Sequence, residues 1–435
     1  MSLTNPPGGP GAPSGSSGSP RLGAAASSAP APSSPGRGRV LVAMSGGVDS
    51  SVAAARLLAE GFDVVGVTLH LWDTPDDGSV QGRCCAPEDV HDARRVADKL
   101  GFPHYAFDRR ELFEREVVAP FVDAYLAGET PSPCVRCNRG VKVQELLRLA
   151  DRLGAERVAT GHYARIEEGP AGLELLRARD AGKDQSYFLH MLSDDVLRRL
   201  LFPLGGLSKA EVRAEARRLD LPGATKGESQ ELCFVPTGRY DELVEARAPE
   251  RVRPGPILDG AGRQVGVHGG VHRFTLGQRR NLGVAVGQRA YVVGVDATSG
   301  VVQLGEREQL ACREAIVGEL ALRDRVELPF ECEVAVRYRG RTVPARIVAA
   351  PDEPRNGPPD GPASGPFGGP SGRREPRARI EFHEPQLAVV PGQFAVFYVG
   401  DRVLGGGVIR EGSRGVAVAA GNEASAAPVE VGVSP

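Results

Sequence analysis

No stretch of about eighteen apolar residues occurs in the sequence, so nothing in it reads as a membrane-spanning helix. Cysteine is scarce, seven in 435 residues and an odd number. That is too few for the disulfide framework of a secreted scaffold and places the chain among reduced, cytoplasmic proteins. Neither sign of charge dominates, with 53 Lys and Arg against 55 Asp and Glu. A nucleic-acid partner must therefore be met by local patches rather than a global field. With 41% hydrophobic and 25% charged residues, the chain has material for two or three domains with ample core. Glycine (56) and proline (35) are plentiful and unevenly placed. Residues 1–38 are nearly all Gly, Pro, Ser and Ala, with Arg21 and Arg37 their only charges. The stretch lacks the apolar core of a secretory signal, and its prolines and glycines forbid the amphipathic helix of a transit peptide. It is expected to be a disordered tail, residues 351–378 a disordered insertion of similar composition, and 416–435 a second tail.

Order begins with Val40–Met44, a short apolar run that reads as a buried strand. A helix over Ser50–Glu60, stopped by Gly61, and a second strand over Val64–Leu69 complete a strand–helix–strand unit. From Glu88 to Leu100, Val90, Ala93, Val96, Ala97 and Leu100 share one helical face. Helices over 111–127 and 141–153, then a strand through "ERVATGHY" ending at Gly161, continue the alternation. The pattern predicts an α/β domain over residues 39–235, a parallel sheet with helices on both faces. Ser208 and Glu211 mark a capping box at the head of a further helix. Beyond residue 235 the period changes to two. A small central domain is expected over 236–289 and a C-terminal β-barrel over 290–415, interrupted by the insertion.

The turn between first strand and first helix is "SGGVDSS", Ser45–Ser51. Two glycines allow a tight turn that exposes backbone N–H groups, the helix N-terminus adds partial positive charge, and Ser45, Ser50 and Ser51 add hydroxyls. This is an anion cradle suited to phosphate. It has neither the Lys of the Walker pattern nor the dinucleotide fingerprint. Asp49 inside it implies a Mg²⁺ bridge to the phosphate or a role in orienting the loop.

The stretch "TPSPCVRCN", residues 130–138, sets Cys134 and Cys137 two residues apart. That spacing is half a zinc site, a thioredoxin-like pair, or a thiol placed for chemistry on a substrate. Zinc lacks a second pair, since Cys84 and Cys85 are adjacent. A redox pair belongs at a helix start, whereas Pro131 and Pro133 are expected to hold this loop extended. Cys84, Cys85, Cys312 and Cys332 read as ordinary small, buried or half-buried side chains.

"SGGVDSS" after a strand resembles the pyrophosphatase loop of N-type ATP pyrophosphatases. With "TPSPCVRCN", "ATGHYAR", "GKDQSYFL", "SQELCFVP", "FTLGQRRNLG", "RYRG" and "PGQFAVFY" in that order, the chain resembles the bacterial tRNA-specific 2-thiouridylase family over residues 39–410. The tail, the insertion and Cys134, where some members have Asp, depart from the pattern. The resemblance implies ATP-dependent thiolation of the wobble uridine of tRNA, with release of AMP and diphosphate. It assigns Cys137 as nucleophile and Cys233 as persulfide carrier; Cys134 stands where an Asp of some members is described as an acid or base, and the thiol there reads as a similar group, a third thiol or a bystander. It further implies ATP contacts from Ala43, Met44, Ser45, Gly46, Gly47, Val48, Asp49, Ser50, Leu69 and Gly161, with Mg²⁺ near Asp49. Contacts to tRNA are implied for Ser132, Pro133, Cys134, His162, Lys183, Asp184, Gln185, Arg337, Tyr338 and Gln393. A cysteine desulfurase or sulfur-relay protein would supply the sulfur, and the chain is expected to act as a monomer.

An alternative mechanism places a [4Fe–4S] cluster on Cys134, Cys137 and Cys233. Two basic strips, Arg337/Arg339/Arg341 and His272/Arg273/Arg279/Arg280, read as phosphate-binding surface or as plain solvated faces. Two rivals stand against thiolation. An adenylating ligase using ammonia needs an amine-supplying domain that is not visible. A non-catalytic RNA- or nucleotide-binding module has no use for the thiols.

Overall fold

A computed structural model describes residues 36–73, 87–169, 172–223, 232–235, 238–285, 287, 289–350 and 376–414. The tail, most of the 351–378 insertion, the C-terminal residues and Cys84 and Cys85 lie outside the described residues.

Five parallel strands form the first sheet: β1 (Arg39–Ala43), β2 (Asp63–His70), β3 (His104–Asp108), β4 (Arg157–Ala159) and β7 (Leu200–Leu201), in the order β3-β2-β1-β4-β7. Side-chain alternation along β1 explains why helices cover both faces. Val40 and Val42 pack with Ala54 and Leu57 of α1 (Val48–Ala59) and with Ala93, Val96 and Ala97 of α2 (Pro87–Leu100). Leu41 points the other way, into a core built by two long helices. One comprises Arg110–Phe113, a π turn over Glu114–Val118, and Ala119–Leu126. The other, the cysteine helix, comprises Pro133–Arg136, a π turn over Cys137–Lys142, and Val143–Leu153.

The expectation of an extended loop around the cysteines is therefore corrected. Pro133 occupies the first helical turn, where a missing N–H costs nothing and the fixed φ favours the helix. The helix begins eight residues before the sequence pattern suggested, and both thiols lie on its first turns.

Hairpin β5 (Ala164–Gly169) and β6 (Gly172–Arg177) leaves the first domain and joins the barrel sheet, β6 pairing with β17 (Arg402–Arg414) through Leu176 and Arg402. The central sheet has the order β10-β11-β8-β9, from β8 (Gly255–Leu258), β9 (Gln264–His268), β10 (Tyr291–Asp296) and β11 (Val301–Gly305). So β10 and β11, read from sequence as part of the barrel, belong here. β11 pairs with β8 at Val302 and Ile257, and Val292, Val302, Leu304, Ile257 and Phe274 form a separate core. Alternation marks a strand without naming its sheet.

The barrel proper comprises β12 (Ala311–Leu322), β13 (Phe330–Ala335), β14 (Val343–Ala349), β15 (Ala378–Leu387), β16 (Phe394–Val399) and β17. The run β12-β15-β14-β13-β16-β17 closes because β12 also pairs with β17. Cys312 and Cys332 lie in its core, as the sequence suggested.

Domain and barrel are joined by a buried ion pair. Arg323 donates to Asp194 at 2.8 Å and to the His190 carbonyl at 2.6 Å, and both charged side chains are only 10% exposed. The backbone N–H of Asp324 occupies the second Asp194 oxygen at 3.2 Å. Replacing Arg323 by Ala leaves Asp194 buried without a countercharge, at a cost of roughly 3–5 kcal/mol. We expect a lower urea midpoint for Arg323→Ala and substantial recovery in Arg323→Met/Asp194→Leu. An Arg323→Ala midpoint equal to wild type would show that the pair does not hold the domains together.

Candidate active site

The phosphate loop is built by backbone constraint. Gly46 has φ +70, and a Cβ there would sit 2.3 Å from the Asp89 carbonyl oxygen, so only glycine fits. Gly161, at the end of β4, approaches the loop from the other side, where a Cβ would lie 2.9 Å from the Ser50 nitrogen. Gly47 is the N-cap of α1. Two of the three hydroxyls expected to face phosphate point elsewhere. Ser50 and Ser51 both donate to the Gly47 carbonyl, at 3.1 and 3.0 Å, and the Ser45 N–H donates to Ser50 Oγ at 3.1 Å. They brace the turn, because its buried carbonyl needs donors. Ala43, Met44 and Val48 complete the loop, and Leu69 closes it from the neighbouring strand β2.

Asp49 does not offer itself to a metal. Both its oxygens accept from Lys209 Nζ at 2.7 Å, and Oδ1 also accepts from the Tyr163 hydroxyl at 2.8 Å. Residues present at Asp49 thus do not fit Mg²⁺, and the structure favours the loop-orienting role. Lys209 was missed by sequence reasoning, though a signal was available. The capping box of Ser208 and Glu211 sets Lys209 at the first position of its helix, where a cation opposes the helix dipole. It is only 8% exposed.

"GKDQSYFL" supports this pair from behind. The Gln185 carboxamide oxygen accepts from the Tyr163 N–H at 2.9 Å, and the Gln185 N–H donates to the Tyr163 carbonyl at 2.8 Å. Asp184 accepts from the Ala178 N–H (2.9 Å) and the Ser186 hydroxyl (2.9 Å). Both side chains therefore organise the loop that aims Tyr163 at Asp49. Lys183 lies in the turn before them.

On the cysteine helix, Cys134 is half-buried and Cys137 is 5% exposed. Burial pushes the Cys134 thiol up, partly offset by the charge of Lys142. Lys142 also acts on His162, whose imidazole is pushed down to about 3, chiefly by burial. One lysine therefore bears on both the cysteine helix and the loop behind the phosphate cradle. Cys233 sits in the turn Leu232–Val235, half-buried against the same apolar core that contains Cys137. Its neighbour Phe234 anchors that turn among Trp72, Phe113 and Phe121, with ring centroids 6.1, 5.6 and 5.0 Å away. Among the described residues no three His, Cys, Asp or Glu side chains form a group able to hold a metal ion. The three thiols thus do not form the set an iron–sulfur cluster needs.

The barrel shapes the entrance. Gln393 donates to the Thr130 carbonyl at 2.8 Å, and the Thr130 N–H donates to the Pro391 carbonyl at 2.9 Å, which fixes the segment leading to Ser132 and Pro133. Glu319, with φ +48 on β12, binds Arg136 at 2.9 Å and lies 3.6 Å from Arg139, the two arginines flanking Cys137. Arg410 joins them at 3.2 Å. Tyr338 packs on Phe188 with centroids 4.2 Å apart, while Arg337, Arg339 and Arg341 are exposed beside it. The second basic strip is broken. His272 is fully buried and bonded to Glu245 at 3.0 Å, and the exposed Arg273 pairs with the same carboxylate, so the strip lacks its histidine and comprises Arg273, Arg279 and Arg280.

Two outcomes follow from this geometry. Lys209→Met leaves a carboxylate facing the phosphates, and like charge in a cradle costs several kcal/mol. ATP affinity, measured by calorimetry, is expected to fall about 100-fold or more, with partial recovery in Asp49→Asn/Lys209→Met. An unchanged affinity in Lys209→Met would remove the pair from ATP binding. His162 stays neutral in the folded protein, while the unfolded chain takes up its proton below about pH 6.5. Stability should therefore fall as pH drops from 6.5 to 5, by up to about 1.4 kcal/mol per pH unit for this residue. The slope of urea stability against pH should flatten in His162→Asn; an unaltered slope would contradict the burial argument.

Known proteins resemble this chain in sequence over most of its length. Residues 38–237 match the family model described as the tRNA methyl transferase HUP domain. Residues 242–306 match the tRNA methyl transferase PRC-barrel domain, in keeping with β10 and β11 lying in the central sheet, and 372–409 the aminomethyltransferase beta-barrel domain. The chain is 57% identical over 381 residues to the tRNA-specific 2-thiouridylase MnmA of Sorangium cellulosum (strain So ce56), covering 86% of this chain and 93% of that protein. It is 44% identical over 382 residues to the MnmA of Geobacter metallireducens, covering 86% and 97%. With the MnmA of Heliobacterium modesticaldum it shares 45% over 373 residues, covering 85% and 92%. Identity of this extent over all three domains shows that the chain belongs to the tRNA-specific 2-thiouridylase family, MnmA.

Proposed function

We propose that this enzyme converts the wobble uridine of tRNA to 2-thiouridine, using ATP for activation and a cysteine persulfide for sulfur. The observation that carries the reading is that Leu69 of β2, Cys137 and Cys233 meet in one apolar core. Gly161, next to His162, lies against the phosphate loop, which supports reading thiols and cradle as one site. The family models carry the words methyl transferase. A phosphate cradle beside two thiols fits adenylation and sulfur transfer better.

In this reading the loop Ala43–Ser50, with Leu69 and Gly161, holds ATP. The uridine O2 attacks the α-phosphorus, the bond to the β-phosphate oxygen breaks, and diphosphate leaves. The terminal sulfur of a Cys233 persulfide then attacks C2, and AMP departs with the former O2. The Cys137 thiolate attacks the inner Cys233 sulfur. The sulfur–sulfur electron pair goes to the atom now on C2, and a Cys137–Cys233 disulfide remains for a two-electron reductant. Cys134, whose thiol is kept neutral by burial, serves as a proton donor where relatives carry an acid. Ser132 and Pro133 meet the extruded base, a geometry common to enzymes that act on a single nucleotide. Lys183, Arg337, Arg339 and Arg341 meet RNA phosphates. Partners are tRNA and a persulfide-donating desulfurase or relay protein, and the enzyme acts as a monomer.

The test is mass spectrometry of tRNA incubated with enzyme, ATP and a persulfide donor. Cys233→Ser should load no sulfur. Cys137→Ser should load it and deliver none, and wild type after one turnover without reductant should yield a Cys137–Cys233 peptide. Full thiolation by Cys137→Ser would overturn the mechanism.

A further inference from the structure

The cysteine helix carries a polar side chain that neither the fold nor the chemistry above employs. Asn138 is 4% exposed, yet among the described residues no donor reaches its Oδ1. A buried acceptor left without a donor destabilises a protein and calls for an explanation in function. Position supplies one. Cys134, Cys137 and Asn138 stand at i, i+3 and i+4, so all three share one face of the helix. Asn138 also belongs to the π turn Cys137–Lys142, a distortion that recurs where helices present side chains to a substrate.

Resting on the thiolation reading, we propose that Asn138 is a specificity-determining residue that reads the target base as uracil. A carboxamide is complementary to the uracil edge. Its Oδ1 accepts from N3–H and its Nδ2 donates to O4, which leaves O2 clear for activation. Cytosine presents an acceptor at N3 and an amine at position 4, so both contacts turn repulsive. The orphaned Oδ1 is then the counterpart of the N3 proton. Stability is given up in the free enzyme for discrimination in the complex.

The test uses anticodon stem-loops with uridine or 3-deazauridine at the target position; the second, a 4-hydroxy-2-pyridone, replaces N3–H by C–H and turns the O4 carbonyl into a hydroxyl, so it lacks the N3 donor. Wild type is expected to bind the uridine loop roughly 10-fold more tightly, the worth of one buried hydrogen bond. Asn138→Leu, which keeps the branched shape, should bind both loops alike. Its melting temperature should match or exceed wild type, because it removes an unsatisfied polar group. Asn138→Asp, which keeps an acceptor, should retain part of the preference and guards against misfolding of the Leu variant. Equal binding of the two loops by wild type, or an undiminished preference in Asn138→Leu, would overturn the proposal. So would a melting temperature of Asn138→Leu well below wild type, the mark of a structural side chain. Thiolation of the uridine loop by wild type is measured in parallel. Its failure beside a clear N3 preference would strike the sulfur-transfer reading and leave base reading intact.

Discussion

An anion cradle with a carboxylate inside it is unstable as a binding site unless the carboxylate is neutralised, and that constraint organises the first domain. Asp49 sits in the first turn of α1, where its charge suits the helix dipole and repels phosphate. Lys209 resolves the conflict by occupying both carboxylate oxygens. To reach them it must be nearly buried at the start of a helix, an unfavourable place for a cation. The capping box of Ser208 and Glu211 secures that helix end, and the Asp180 carboxylate accepts from the Lys209 N–H at 2.9 Å. Tyr163 shares the carboxylate and is itself held by Gln185. The segment that the family resemblance assigned to tRNA contact is thus mechanically connected to the phosphate loop. Lys183 and Asp49 lie at two ends of one hydrogen-bonded chain that runs through Asp180 and Lys209.

A second dependence runs through the barrel. Its residues Gln393 and Glu319 hold the two sides of the cysteine helix start, one by its approach segment and one by the arginines beside Cys137. Burial alone raises the Glu319 carboxyl, and the guanidiniums of Arg136, Arg410 and Arg139 together bring it below the usual range. The residue is held in a left-handed backbone conformation that a glutamate rarely adopts, a form of strain that collects at functional sites. The barrel is therefore a structural support of the cysteine helix.

What the sequence disclosed and what it hid follow from the range of the forces involved. The strand–turn–helix of the phosphate loop was legible because local rules fix it: apolar run, glycines, helix. The start of the cysteine helix was not, since Pro131 and Pro133 read as breakers unless Pro133 is known to occupy the first turn. Strands β10 and β11 were visible as strands but were read with the wrong sheet, because pairing with β8 depends on the core around Ile257. The roles of Lys209, Gln393 and Glu319 depend on contacts across 160, 263 and 183 positions respectively. No local pattern encodes such contacts. Placement of the long insertion does have a local logic. Ala349 and Ala378 are register partners at the ends of β14 and β15, so extra residues enter where the chain already turns back. Loop closure there grows costly only with the logarithm of length.

Cys134 shows how burial rather than residue type sets a chemical role. A thiol and a carboxylic acid differ by several units of intrinsic pKa, and exchanging them looks like a change of function. On this helix, burial raises the thiol, and the same desolvation would raise a carboxyl. Either group is thereby biased toward its neutral form, the form a proton donor needs. Burial weakens the thiol as an acid, and Lys142 limits that shift by favouring the anion. The departure from the family pattern at this position therefore keeps the bias toward the neutral form, while the several-unit difference in acidity between thiol and carboxyl remains.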